Sequence, residues 1–83
     1  MKIKQFGSGY AIYDGVKRMT GALRKDVAER NLVILSMEKN GFIVIFNPEK
    51  KSLSTLKSFY KQYFKKCKIV RKTVNGEIFD FMK

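Results

Sequence analysis

The sequence predicts an α+β fold of split βαβ, ferredoxin-like order, β-α-β-β-α-β-β, in which an antiparallel sheet carries two helices on one face. Three observations point there. The steps Asn40-Gly41 and Asn75-Gly76 each lie between β-rich runs, and Asn-Gly tolerates the positive φ angles that a type I′ hairpin turn requires. Two other stretches space their apolar residues at three and four, as a helix with one buried face does. With 83 residues, the chain has room for one domain, residues 1–83.

Residues 2–13 alternate loosely through Tyr10, Ile12 and Tyr13, with Gly7-Ser8-Gly9 interrupting them. They read as a bulged strand or a tight hairpin. Asp14 is placed to cap a helix whose stripe is Val16, Met19, Leu23 and Val27. Leu32-Val33-Ile34-Leu35 and Phe42-Ile43-Val44-Ile45-Phe46 then form a hairpin closed at Asn40-Gly41, which Asn47-Pro48 ends. Ser52 or Ser54 caps a second helix with Leu53, Leu56, Tyr60, Tyr63, Phe64 and Cys67 on its apolar arc. Residues 69–74 and 77–81 make the last hairpin, and its register sets Arg71 opposite Asp80. The rival arrangement is an α+β fold in which residues 2–13 stand apart as their own hairpin.

Charge dominates the composition. Eighteen Lys and Arg oppose seven Asp and Glu, a net charge of +11. So much like charge on a small fold repels itself, and an anionic partner relieves the repulsion. A solubilising surface is the plainer explanation. One cysteine, Cys67, excludes an internal disulfide and fits a reducing compartment. No apolar run has the length of a signal peptide or membrane span, so a cytoplasmic protein without membrane attachment is expected.

Enzyme signatures are scarce. There is no histidine, which removes the usual general base near neutral pH. A lone cysteine without histidine makes neither a Cys-His nucleophile nor a zinc site. Gly7-Ser8-Gly9 lacks the Gly-Lys-Ser/Thr ending of a phosphate loop. The expectation is a protein without catalysis, metal or cofactor.

The second helix carries the sharpest functional signal. Lys57, Lys61 and Lys65 recur every four residues and predict one cationic ridge, with Lys66 and Lys68 at its end. Like charges at that spacing weaken an isolated helix, and no glutamate occurs between residues 50 and 76 to mix the signs. Arg71 and Lys72 extend the track, and Arg24 is a further candidate from the first helix.

Both faces of the central hairpin read as apolar, so one face needs a cover: the terminal strands, a ligand, or a second subunit in a homodimer through the sheet. Gly41-Phe42-Ile43-Val44-Ile45-Phe46, third strand of the expected order, partly resembles the Gly-aromatic-Gly-aromatic-Val-x-aromatic signature of the RNA-recognition-motif family. The second glycine and a key aromatic are missing, and the first-strand partner motif is not evident. The resemblance implies base stacking on open-sheet aromatics, whereas a core role is the favoured reading of Phe42 and Phe46. Tyr60 and Tyr63 read as core, and Tyr10 and Tyr13 are left open.

Together these features predict a small basic RNA-binding protein that captures the phosphate backbone electrostatically. RNA is preferred to DNA because no helix carries an Asn, Gln and Arg set suited to base edges in a major groove. The alternative, from another class, is a small inhibitor or adaptor that grips an acidic surface of a protein or ribonucleoprotein, as phage-encoded antagonists do.

Overall fold

A computed structural model describes residues 1–83. The fold is mixed α+β, with two helices and two three-stranded antiparallel sheets. The strands are β1 (Lys2–Phe6), β2 (Gly9–Asp14), β3 (Lys17–Arg18), β4 (Ile43–Ile45), β5 (Ile69–Val74) and β6 (Glu77–Met82). The helices are α1 (Lys25–Lys39), between β3 and β4, and α2 (Leu53–Lys61), between β4 and β5. This order, β-β-β-α-β-α-β-β, replaces the expected β-α-β-β-α-β-β, and no single sheet carrying two helices forms. The rival reading, in which residues 2–13 make their own hairpin, describes the N-terminal strands correctly. The chain divides into two compact units, Met1–Ser36 and Met37–Lys83. No helix is long and apolar enough to cross a membrane.

In the first unit, glycines set both turns. Gly7 has φ 59° and Gly15 has φ 65°, each at the first central position of a two-residue hairpin loop, where a type II′ turn demands glycine. Asp14 therefore ends β2 and pairs with Lys17 across the Gly15-Val16 turn, rather than capping a helix. The stripe Val16, Met19 and Leu23 is not helical either: Val16 lies fully in water at the turn. Residues 19–23 instead run back along β2. The Met19 N–H donates to the Ile12 carbonyl (2.7 Å), and Tyr10 and Leu23 exchange both backbone bonds at 2.8 and 2.7 Å. Ala11, Ile12 and Ala28 are fully buried.

That exchange depends on Gly9. A Cβ there would lie 2.6 Å from the Leu23 carbonyl oxygen, a backbone atom that cannot yield without parting the strands. Gly9→Ala is therefore expected to cost about 1–3 kcal/mol. Gly21→Ala, where a Cβ meets open space, should stay within about 0.5 kcal/mol. Urea denaturation of the two variants checks the contrast.

Helix α1 absorbs residues 32–35, the expected first arm of the central hairpin, so that hairpin does not exist. Gly41, at φ 86°, ends the helix instead of turning a hairpin. Its N–H donates to the Glu38 carbonyl (3.0 Å), and the Phe42 N–H donates to the Met37 carbonyl (3.0 Å). This pair of bonds is the Schellman motif, which satisfies helix carbonyls that have no partner further along the chain. The argument for a dimer through a two-faced hairpin loses its premise here.

In the second unit, β6 is the central strand, flanked by β4 and β5. Asn75 (φ 50°) and Gly76 (φ 79°) form the expected type I′ turn, and the register sets Arg71 against Asp80. Strand β4 pairs on the other edge of β6, bringing Ile45 across from Asp80. Ser52 caps α2, its hydroxyl accepting from the Thr55 N–H at 3.3 Å. The helix buries Leu56 against Ile45 and Ile69, with Leu53, Tyr60, Cys67 and Met82 packed around them. Three expected core aromatics, Phe42, Phe46 and Tyr63, lie outside this cluster, as does Phe64 of the expected apolar arc. Tyr63 is 68% exposed and Phe46 is 87% exposed, because α2 stops at Lys61 and β4 stops at Ile45.

Candidate nucleic-acid interface

The lysines converge on one concavity of the second unit. Lys57 and Lys61 stand one turn apart on α2. Lys65 was expected to continue their ridge, but the helix ends before it. The N–H groups of Tyr63 and Phe64 both bond to the Tyr60 carbonyl, at 3.0 and 2.9 Å, closing a final turn. The chain then bends back toward β5, and the bend returns Lys65, Lys66 and Lys68 to the same place. These five lysines, with Cys67 and Lys83, line an open cavity of about 500 Å³.

No carboxylate side chain lines this cavity, and none of the five ammonium groups has an ion-pair partner. All five lysines are exposed. Ordinary solvent-facing surfaces intersperse the two signs. Here one sign is concentrated in a concave surface, which focuses positive potential where an anion would sit.

Lys83 joins the cavity although the sequence reading passed over it. Its signal was available: continuing the hairpin register beyond Ile69 and Met82 sets Lys68 against Lys83. Their backbones exchange two bonds, at 3.0 and 2.9 Å. The Lys83 ammonium lies over the Phe42 ring, 5.5 Å from its centre, a cation–π contact that leaves its charge available.

Three of the sequence candidates are placed elsewhere. Arg24 belongs to the first unit and pairs with Asp26 at 3.3 Å. Lys72 is exposed on β5 but does not line the cavity. Arg71 is committed to the protein itself. Its Nε donates to Asp80 Oδ1 at 2.7 Å, and its Nη2 donates to the Lys51 carbonyl at 2.7 Å.

Asp80 also accepts from Asn47 Nδ2 at 2.9 Å, while Asn47 Oδ1 accepts from the Lys51 N–H at 3.0 Å. Thus Asn47, Lys51, Arg71 and Asp80 tie the loop before α2 to the sheet. Burial pushes the Asp80 carboxyl up. The bonds from Arg71 and Asn47 and the Arg71 charge outweigh burial and hold it below the usual carboxylate range. The Asp80 bond raises the Arg71 pKa, against a smaller opposing effect of burial. This network explains why Ser52 and the first turn of α2 have a fixed place from which to present Lys57.

No group of three or more His, Cys, Asp and Glu is arranged to hold a metal ion. Two aromatic residues of the first unit, Phe6 and Tyr13, are engaged with its own cations: Arg18 lies over Phe6 at 4.1 Å and Lys4 over Tyr13 at 5.2 Å. No protein-family model, curated protein or solved structure matches the chain.

Proposed function

We propose that this chain binds RNA by capturing its phosphate backbone in the lysine-lined cavity, without catalysing a reaction. The supporting observation is the convergence of Lys57, Lys61, Lys65, Lys66 and Lys68 on one concave surface that no acidic side chain lines. Each ammonium group that meets a phosphate releases condensed counterions, and this release favours binding. RNA is preferred to duplex DNA because α2 is short and presents lysines without amide side chains suited to base edges. Arg71 has no part in this capture, since its guanidinium is held by Asp80 and Lys51.

The test is the salt dependence of RNA affinity. For single strands the log–log slope is about −0.7 per phosphate contact, so five contacts give a slope of roughly −3 to −4. Fluorescence anisotropy with a labelled RNA at several salt concentrations measures it. A flat dependence rejects phosphate capture and favours an inhibitor or adaptor that binds protein through a few apolar anchors.

A further inference from the structure

A second, apolar cavity adjoins the first. It measures about 190 Å³ and is lined by Gly41, Ile43, Phe64, Cys67 and Met82, together with Lys66 and Lys83. Cys67, Lys66 and Lys83 line the lysine cavity as well, so the two share a wall. Resting on the reading of the first cavity as a phosphate site, we infer that the apolar cavity receives an unpaired base of the bound RNA. The chain would then select single-stranded RNA over duplex.

Phe64 would be the stacking residue. It is 49% exposed, and Ile43 beside it is 58% exposed, so a substantial apolar surface is left in water. Phe59 forms ring pairs with Tyr60 and Tyr63, whereas Phe64 forms no ring pair and lines the cavity. The Phe64 backbone is nevertheless fixed, since its N–H bonds to the Tyr60 carbonyl. The backbone that carries the ring therefore needs little further ordering when something stacks on it.

The shared wall identifies the occupant. A nucleotide joins a flat, apolar-faced ring to an anion one sugar away, which matches an apolar cavity beside a cationic one. A second copy of this chain would bring a further +11 of charge to a rim already holding Lys66 and Lys83. An uncharged apolar peptide would leave the lysines unanswered. In an A-form duplex the bases are paired and stacked inside the helix and cannot enter the cavity.

The experiment compares a labelled single-stranded RNA with the same ribose-phosphate strand made abasic, at one salt concentration. The base-bearing strand is expected to bind roughly 5- to 150-fold more tightly, the range for stacking one base on an aromatic side chain. Phe64→Ala should abolish that difference and leave abasic binding unchanged, while Phe64→Tyr should keep it. Phe64 lies outside the buried core cluster, and a melting curve confirms that each variant folds. Equal binding of the two strands by the unaltered protein overturns the inference, as does an equal loss for both strands in Phe64→Ala. In those cases steep salt dependence with the abasic strand leaves phosphate capture standing. If neither strand binds, both proposals fall.

Discussion

Changing Lys57, Lys61 and Lys65 together to Glu is expected to weaken RNA binding by roughly 100-fold or more, because three phosphate contacts become three repulsions. The salt slope should fall in magnitude by about 2, at about 0.7 per lost contact. The fold should survive, since all three side chains are exposed and the buried face of α2 is Leu53, Leu56 and Tyr60. Lowering net charge anywhere weakens attraction to RNA, so the control is a matched change of Lys2, Lys17 and Lys25 to Glu. Those lysines are exposed residues of the first unit. Anisotropy titrations of the two variants, at equal net charge, separate a local site from a general field. If both lose affinity equally, the cavity has no special role. If the first variant binds as the parent does, the lysines merely face solvent.

The lysine cavity was legible in the sequence because its signal is an unbroken run of one sign. The run survives even though its helical explanation fails at Lys65. The terminal hairpin was legible because Asn75-Gly76 fixes its register locally. The middle of the chain was not legible, because identical residues serve different backbone tasks. Gly41 needs positive φ to close a Schellman motif as much as to turn a hairpin. Leu32 to Leu35 are contiguous, so periodicity cannot tell a buried strand from a helix, and only the length of α1 decides. Asn47 read as a strand terminator, yet its side chain holds the loop before α2 through contacts distant in sequence. Phe64 read as part of the apolar arc of α2 because the helix was extended past its real end at Lys61.

Asp80→Asn is expected to destabilise the second unit at neutral pH by about 1–3 kcal/mol, the range for losing hydrogen bonds to a charged acceptor. The Asp80 carboxylate is 3% exposed and satisfied by Arg71 and Asn47. Removing its charge leaves the guanidinium without its counterion and weakens the hydrogen bonds that the carboxylate accepts. The loss is moderated because 28% of the Arg71 side chain remains open to water. The pH dependence gives an independent check with a definite sign. The folded carboxyl is held below its unfolded value, so its stabilisation is complete above the unfolded pKa of about 4. It is lost as pH falls through the lower folded value, so the parent should weaken on that acid limb. Asp80→Asn, with no proton to bind there, should show a shallower limb and approach the parent's stability at low pH. Urea denaturation across this pH range measures both curves. Parallel curves would mean that another carboxylate governs the acid transition. An unchanged midpoint at neutral pH would mean that the loop before α2 is held without the ion pair.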